Sequence, residues 1–338
     1  MAKSRSKIAL LFFGGSGIQT GDGRIFEVTK KEEITAWLKE LPELGILADI
    51  EPVFVFGGPA SEVTPALWSA LAKKIGELYP SVDGVVVTHG IDTIVYTGAM
   101  LSFMLHNLGK PVVLTTSPLA KEMQSPADSE GLVSDYRNLG VRANLINALQ
   151  VATMNLGEVV IMHGNRVMRA NQTIKSIGPG QNFFEPIGEG LLGKVDFGIK
   201  LFGHVRERGK GKLKVDAALD DHVCTMRIQP ASHAEQIARM IASGCRALML
   251  RSYSTLPYPQ SFIPYLRLAQ EKGIPVVCHN LFALKSTRAN EEYILINDMT
   301  YEAALTKCMW VLGKTREREE FRKLLYRDVA GERIKANV

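Results

Sequence analysis

The chain has 338 residues, of which 46% are hydrophobic and 22% charged, with 30 glycines and 15 prolines. This composition is typical of globular proteins and excludes a disordered tail, a collagen and a disulfide-stabilised miniprotein. At roughly 100–200 residues per domain, the length predicts two domains. The net charge of +5 is spread along the chain, and only the run 206–214 concentrates positive charge. Because this run lacks interleaved aromatic side chains, we interpret it as a solvated linker and expect no nucleic-acid partner.

Membrane insertion and metal binding are not expected either. No stretch of about 18 unbroken apolar residues occurs, as a membrane-spanning helix would require. The apolar run near the N-terminus is short for a signal peptide and predicts a first core strand instead. No histidine pair has metal-ligand spacing on a predicted helix. The four cysteines match no metal or redox spacing, so we expect reduced thiols in a cytoplasmic protein; they are Cys224, Cys245, Cys278 and Cys308.

Short apolar runs alternate with helical stretches through the first two hundred residues. The runs are nearly continuous in Val, Ile, Leu and Phe, as expected for strands buried on both faces of a parallel sheet. The predicted strands are 7–13, 50–56, 84–90, 111–117 and 158–164. The predicted helices are 64–78, 92–107 and 136–154. Alternation of this kind predicts right-handed βαβ units, and hence an α/β fold with a doubly wound, mostly parallel sheet.

The pattern restarts after the basic run and predicts a second, smaller α/β domain. Its predicted strands are 222–228, 247–253 and 274–280. Its predicted helices are 231–243, 258–272 and 299–313. We therefore divide the chain into an N-terminal α/β domain over 1–205, a linker over 206–214 and a C-terminal α/β domain over 215–338.

Ligands in open α/β sheets bind outside the carboxyl ends of the strands. The candidate site therefore consists of the loops that follow the strands of the first domain, at 14–20, 57–62, 89–93, 115–118 and 164–175. Three side chains there carry chemistry: the hydroxyl of Ser16, the carboxyl of Asp92 and the amine of Lys175. A hydroxyl, an acid and an amine at one sheet edge are the components of an activated hydroxyl nucleophile.

Each of these residues also has a simpler interpretation. Ser16 follows two glycines, as a serine in a plain turn does. A dinucleotide fingerprint needs a glycine at position 20, where this chain has Thr20. A nucleophile elbow needs a glycine at position 18, where it has Ile18. Asp92 alone is a helix N-cap. Lys175 alone is a solvated lysine, whereas a partly buried lysine beside a carboxylate and a hydroxyl is a candidate proton relay. Spacing alone leaves these alternatives open.

Longer motifs surround these residues. VVVTHGIDTIVYTGAMLSFML and LLFFGGSGI resemble the two signatures of the bacterial-type asparaginase/glutaminase family. PVVLTTS, SDYRNLGVRANLINAL, GNRVMRANQTIKS and DMTYEAALTKCMWVLGKT also match, in order, between about residues 7 and 330. The resemblance implies hydrolysis of the side-chain amide of asparagine or glutamine to the acid and ammonia. It also implies no metal or organic cofactor, and a homodimer or homotetramer with sites near subunit contacts.

The resemblance assigns roles to the three catalytic candidates. Lys175 matches the relay lysine, and Asp92 matches the aspartate that also binds the α-amino group of the substrate. Ser16 stands at the position of the attacking threonine. Ile91 replaces the second threonine, so its side chain can neither donate nor accept a hydrogen bond. The second threonine belongs to a unit that acts together, and loss of one member costs several orders of magnitude.

The remaining substrate-binding positions are also implied by the resemblance. They comprise two loop glycines, the position of the carboxylate-binding serine with its neighbour, and a serine after the fourth strand: Gly15, Gly90, Ala60, Ser61 and Ser117. Ala60 aligns with the carboxylate-binding serine, and Ser61 beside it is a candidate substitute. Whether Thr20, Thr93 or Thr116 supplies the missing hydroxyl stays open.

Three functions follow as hypotheses. The first is a divergent amidohydrolase with a small-molecule amide substrate and Ser16 as nucleophile. The second is a catalytically impaired relative that binds a small amino acid or a protein partner, motivated by Ile91 and Ala60. The third is the amidase subunit of a tRNA-dependent amidotransferase. That subunit carries an additional N-terminal domain, for which a first strand at Lys7 leaves no room, so this hypothesis is the weakest.

Overall fold

The computed structural model describes residues 5–15, 17–19, 25–116, 132–176, 183–252, 258–281 and 292–335. The chain divides into two compact units, Met1–Ala217 and Ala218–Val338. In the part of the chain that is described, none of the helices is long and apolar enough to cross a membrane.

The first unit is built on an eight-stranded sheet. Its strands, together with the short strands of the same unit, are β1 (Lys7–Phe13), β2 (Gly17–Gln19), β3 (Ile25–Glu27), β4 (Asp49–Phe56), β5 (Gly84–His89), β6 (Leu105–His106), β7 (Val112–Thr116), β8 (Val159–His163), β9 (Arg166–Arg169), β10 (Thr173–Lys175), β11 (Phe184–Pro186), β12 (Leu191–Val195), β13 (Ile199–Leu201) and β14 (Lys214–Val215). Its helices are α1 (Ile34–Lys39), α2 (Leu44–Leu47), α3 (Pro65–Leu78), α4 (Ile94–Met104) and α5 (Leu132–Thr153).

The strand order of the large sheet is β13-β12-β9-β8-β7-β5-β1-β4. The strands β4, β1, β5, β7 and β8 are parallel to one another, whereas β9, β12 and β13 continue the sheet beyond β8 in antiparallel pairs. The predicted doubly wound, mostly parallel sheet is thereby confirmed. Every residue of β5 is buried, as its continuous apolar run predicts for a central strand that helices cover on both faces.

The helices that flank β5 follow from local sequence. Pro65 occupies the first turn of α3 and Thr64 the extended cap position before it, and the helix buries Trp68, Leu71 and Ile75. In contrast, α4 is buried over almost its whole surface, which matches an apolar composition without a polar face.

The predicted helix 92–107 is longer than the observed α4. Thr93, not Asp92, is the residue before its first turn, and the helix ends at Met104. After it, Leu105 and His106 form a short antiparallel pair with β14. The prediction that Asp92 opens the helix is therefore wrong by one residue, and the aspartate side chain is available for another contact.

The basic run 206–214 belongs to the first unit and is hydrogen-bonded to the rest of it at several residues, among them Arg208. The Arg208 guanidinium donates to the carbonyl oxygens of Met154, Asp83 and Ala152 at 2.6, 2.6 and 2.8 Å. Because these carbonyls lie on the body of the first unit, this arginine ties the segment to the unit, whereas a solvated linker would make no such bonds.

The second unit contains a smaller, fully parallel sheet in the order β15-β16-β17-β18. Its strands are β15 (Val223–Arg227), β16 (Ala247–Arg251), β17 (Val276–His279) and β18 (Ile294–Ile296). Its helices are α6 (Gln236–Ala242), α7 (Ile263–Glu271), α8 (Tyr301–Leu312) and α9 (Arg318–Tyr326). The smaller α/β unit was predicted, but neither β18 nor α9 was. A three-residue strand gives too short an apolar run to be distinguished from a loop.

An ion pair is completely buried in this second unit. The side chains of Lys307 and Glu332 are both 0% exposed, and their charged atoms lie 2.5 Å apart. Lys307 Nζ also donates to the carbonyl of Arg327, while Glu332 accepts the backbone N–H groups of Val329 and Ala330. The segment after α9 is thus held to α8 through a buried pair of opposite charges.

Removing one partner of this pair leaves the other charge buried and uncompensated. We expect Lys307→Met to lower the free energy of unfolding by about 3–5 kcal/mol, measured by urea denaturation. Lys323→Met is the matched control, because Lys323 is 79% exposed and its ion pair with Glu320 is a long one, at 3.7 Å. We expect this variant to change the free energy of unfolding by no more than about 0.5 kcal/mol. The double variant Lys307→Met/Glu332→Leu recovers part of the loss. A Lys307→Met protein as stable as the wild type contradicts a buried charge pair at this position.

Candidate active site

Three loops at the carboxyl ends of β1, β4 and β5 are joined by backbone hydrogen bonds. Gly14 N–H donates to the carbonyl of Phe56, and Gly15 N–H donates to that of Gly58, both at 2.9 Å. Gly90 N–H donates to the Gly14 carbonyl at 2.7 Å. We call the segments 14–15, 57–60 and 90–93 the strand-end loops.

Glycine is required where the strand-end loops touch. A Cβ atom on Gly90 would lie 2.6 Å from the Cβ of Ala60, a distance that real Cβ atoms do not adopt. Gly15 has φ +70°, a conformation that side chains disfavour, and its Cβ position is 3.3 Å from the Gly90 Cα. Ala60 is 1% exposed, so a larger side chain has no room there, whereas Ser61 beside it is exposed.

Asp92 and Lys175 meet in space although 83 residues separate them in the chain. Lys175 Nζ lies 3.3 Å from Asp92 Oδ1, with 40% and 38% of the two side chains exposed. Asp92 follows β5, and Lys175 ends β10, whose partner strand β11 places Phe184 opposite the lysine. Lys175 thus belongs to the two-stranded sheet β10-β11 and not to a strand end of the large sheet, and the structure brings its amine to the carboxylate that follows β5.

The hydroxyl groups of two candidate threonines are engaged elsewhere. Thr93 Oγ1 donates to the Ala60 carbonyl at 2.7 Å and joins two strand-end loops. Thr116 is 2% exposed, and its Oγ1 lies 3.2 Å from Nδ1 of His163. The hydrogen bonds of these two hydroxyls are therefore made to groups other than Asp92 and Lys175.

Three further predicted residues lie outside the described residues: Ser16, Thr20 and Ser117. Ile91 itself is half-buried in the turn between β5 and α4. Its side chain has no polar atom, but its backbone N–H is unaffected by the side chain that it carries. The position therefore keeps a hydrogen-bond donor after the threonine hydroxyl is lost.

A chain of buried hydrogen bonds runs behind the β5 loop. Trp68 Nε1–H donates to Thr97 Oγ1 at 2.9 Å, and Thr97 Oγ1 lies 2.8 Å from His89 Nε2. His89 Nδ1 lies 2.8 Å from the carbonyl of Gly90. A carbonyl can only accept, so Nδ1 carries the proton and Nε2 accepts the threonine hydroxyl.

Burial keeps this imidazole neutral. His89 is 0% exposed, and desolvation by burial lowers its pKa to about 4, against smaller opposing contributions from its bond to Gly90 and the charge of Asp92. The sequence interpretation did not identify Trp68 or Thr97. Their signal was a threonine within the mostly apolar α4, since a buried hydroxyl requires a polar partner.

A second polar cluster lies at the ends of β7 and β8. Asn144 Oδ1 accepts Gly164 N–H at 2.8 Å, which orients its Nδ2 toward His163 Nδ1 at 3.5 Å. The His163 ring also contacts the edges of Phe183 and Phe184, with centroids 5.8 and 5.1 Å away. Since Phe184 lies opposite Lys175, this cluster borders the strand segment that carries the lysine.

In the described part of the chain, one group of acidic and histidine side chains has the spacing of a metal site, namely Asp220, Asp221 and His222. The carboxylate of Asp220 is already paired with Arg246 at 2.7 Å and with His222 Nδ1 at 2.7 Å. These partners hold the pKa of Asp220 at about 2, against the opposing effect of its burial. An arginine at this distance supplies the positive charge that a metal would otherwise bring.

Comparisons with known proteins agree with this architecture. The family model "Asparaginase, N-terminal" matches residues 7–206, and "Glutaminase/Asparaginase C-terminal domain" matches 222–325. L-asparaginase 1 of Escherichia coli K12 is 33% identical over 295 residues, which cover 81% of each chain. One subunit of the glutamyl-tRNA(Gln) amidotransferase of Pyrococcus horikoshii is 29% identical over 341 residues, covering 94% of this chain and 74% of that protein.

A solved structure is also similar over nearly the whole chain. The thermostable L-asparaginase from Thermococcus kodakarensis has a TM-score of 0.79 and 27% sequence identity, with 98% of this chain and 100% of that chain covered. The two-unit architecture is therefore shared with the whole of an asparaginase chain, not only with one of its domains.

The close approach of Gly90 to Ala60 can be tested by adding a methyl group at Gly90 and removing the one at Ala60. Gly90→Ala places two Cβ atoms 2.6 Å apart, and we expect it to lower the free energy of unfolding by about 1–3 kcal/mol. Ala60→Gly in the Gly90→Ala background restores the stability. Gly45→Ala is the control, since its Cβ meets nothing within 4 Å. Equal melting temperatures for Gly90→Ala and Gly45→Ala argue against the close contact.

Acid destabilises the folded chain through its buried imidazoles. Burial lowers the pKa of both His89 and His279 to about 4, from 6.5. A depressed histidine pKa gives stability that is complete above pH 6.5 and is lost as the pH falls toward 4. Each imidazole contributes roughly 3 kcal/mol to this loss. Urea denaturation across this range measures it, and His89→Gln weakens the pH dependence. An unchanged slope in that variant contradicts a neutral, buried His89.

Proposed function

Since the chain belongs to the asparaginase family, we propose that it hydrolyses L-asparagine or a closely related small amide to the acid and ammonia. The observation that supports this most directly is the contact of Lys175 with Asp92 at 3.3 Å, at the carboxyl edge of the sheet. In this proposal Lys175 is the base and Asp92 the group that orients it. No metal or organic cofactor has a part in the proposed reaction.

Ser16 is the nucleophile in this proposal. Its Oγ adds to the amide carbonyl while its proton passes to the amine form of Lys175, and Asp92 orients that amine and binds the ammonium group of the substrate. The tetrahedral intermediate then expels ammonia, which takes a proton from Lys175. Water then adds to the resulting ester while Lys175 takes its proton. The second tetrahedral intermediate collapses, which releases the acid and restores the serine hydroxyl with the proton from Lys175.

Charge on the tetrahedral oxygen requires a fixed donor. We assign the Ile91 backbone N–H to this role, because preorganised N–H groups stabilise an oxyanion at no further cost of ordering. The assignment explains how the chain tolerates isoleucine here: the side chain loses the relay hydroxyl, but the backbone donor stays. The same substitution makes the pocket more apolar and favours a slow reaction or a substrate other than asparagine.

The assembly and location complete the proposal. Relatives of this family are oligomeric, and we propose a homodimer or homotetramer in the cytoplasm. The four cysteines, which match no metal or redox spacing and are free thiols in the structure, support a reducing compartment. Glutamine is a second substrate to examine. The similarity to the tRNA amidotransferase subunit makes an ammonia-supplying role beside another protein chain the alternative assignment.

A second candidate function is binding without turnover. It is favoured by Ile91, which has no polar side-chain atom, and by Ala60, which is 1% exposed and leaves no hydroxyl at the position implied for carboxylate binding. In that case asparagine or a similar amino acid raises the melting temperature of the protein but releases no ammonia.

Ammonia release from a panel of amides, beginning with asparagine and glutamine, tests the amidohydrolase proposal. We expect Ser16→Ala and Lys175→Ala each to lower kcat by at least about a thousandfold, because members of a catalytic unit fail together. Lys200→Ala is the control, since this exposed lysine lies on the β13 edge of the same sheet and its removal leaves the rate unchanged.

Two results contradict the assignment. Full activity in Ser16→Ala excludes serine as the nucleophile. No ammonia from any amide with the wild type favours the binding function, and Ile91→Thr then decides whether the isoleucine is responsible, because a restored hydroxyl would restore turnover.

A further inference from the structure

The peptide unit between Gly90 and Ile91 is held through its carbonyl oxygen, and the peptide unit before it is held through the Gly90 N–H. Gly90 N–H donates to Gly14 at 2.7 Å, and the Gly90 carbonyl accepts from His89 Nδ1 at 2.8 Å. The described chain contains no cis peptide bond. In a trans peptide the N–H and C=O groups point in opposite directions. With the carbonyl turned toward the buried imidazole, the Ile91 N–H is turned away from it.

The Gly90 carbonyl fixes the tautomer of His89, because a carbonyl can only accept and Nδ1 must therefore carry the ring proton. Nε2 of the neutral ring is then an acceptor, and the Thr97 hydroxyl donates a hydrogen bond to it. Thr97 Oγ1 in turn accepts the N–H of the Trp68 indole, which can only donate. The opposite tautomer would place two acceptors face to face at Gly90.

The surroundings leave this chain little freedom. Thr97 and His89 are 0% exposed and Trp68 is 6% exposed, and the Phe13 ring lies 5.3 Å from the imidazole. Bulk water does not reach these groups to replace a lost partner, so an interrupted chain leaves a buried polar atom unsatisfied. Rotation of the ring or a change of tautomer relieves that cost, and either change releases the Gly90 carbonyl.

We propose that Trp68, Thr97 and His89 are positioning residues that aim the Ile91 N–H at the tetrahedral oxygen of the amide substrate. This inference rests on the proposed amidohydrolase function and adds to it three residues that do not touch the substrate. It also gives the buried histidine a role distinct from acid–base chemistry, because His89 acts through its proton position and never exchanges that proton with the substrate.

Thr97→Val removes the central hydroxyl with almost no change in volume. Misdirecting one oxyanion donor lowers kcat by about 10–100-fold, less than the roughly 100–1,000-fold loss on deleting a donor outright, and KM changes little. Thr97→Ser keeps the hydroxyl and stays within about threefold of wild type. Ser102→Ala is the matched control: it removes another buried hydroxyl from α4, but that hydroxyl bonds only its own helix at Gly98.

The ¹⁵N NMR signals of the His89 ring provide a readout that does not depend on turnover. The wild type shows the Nδ1-protonated tautomer, and Thr97→Val shifts or broadens it while Ser102→Ala does not. Trp68→Phe removes only the outermost donor and gives a smaller loss of kcat than Thr97→Val.

The results separate this inference from the proposed function. An active wild type with unchanged kcat in Thr97→Val, or an Nε2-protonated His89, overturns the positioning role while the amidohydrolase stands. Equal losses in Thr97→Val and Ser102→Ala overturn it as well, because they show general damage to α4. A wild type that hydrolyses no amide overturns the proposed function, and with it the role of the Ile91 N–H as a donor to the tetrahedral oxygen.

Discussion

The hydrogen bond from Gly90 N–H to the Gly14 carbonyl is the contact on which the candidate site depends. It joins the loops after β1 and β5, two neighbouring strands of the large sheet, at 2.7 Å. The approach is close because neither Gly15 nor Gly90 carries a side chain and Ala60 fills the remaining space. The contact also positions the residues that follow it. Asp92 lies two residues after Gly90, and Thr93 donates a hydrogen bond to Ala60 in the loop after β4.

Burial and exposure divide the polar groups around this contact into two kinds. The Trp68–Thr97–His89 chain is buried and each of its donors has an acceptor, so its geometry is fixed and its imidazole stays neutral. Asp92 and Lys175 are more than a third exposed, so they remain accessible to a substrate. A rigid support behind a reachable charged pair is the arrangement that positions reacting groups within a fraction of an ångström.

Much of this arrangement follows from the sequence, and the remainder has physical reasons for being missed. The central strands are predicted because strands covered on both faces must be continuously apolar, as β5 is. The antiparallel strands β9 to β13 mix charged and apolar residues over three to five positions, and so lack a clear period. The Asp92–Lys175 contact is predictable because strand ends converge, whereas Trp68 and Thr97 meet through the packing of two helices, which no local pattern encodes.

The buried pair in the second unit has a consequence for the order in which the protein is made. Glu332 follows Lys307 by 25 residues, which a ribosome adding about 5–20 residues per second needs roughly 1–5 seconds to synthesise. During that interval α8 has a lysine that cannot enter the core, because the carboxylate that pairs with it there has not been made. The second unit therefore completes its core only after its last segment has been synthesised.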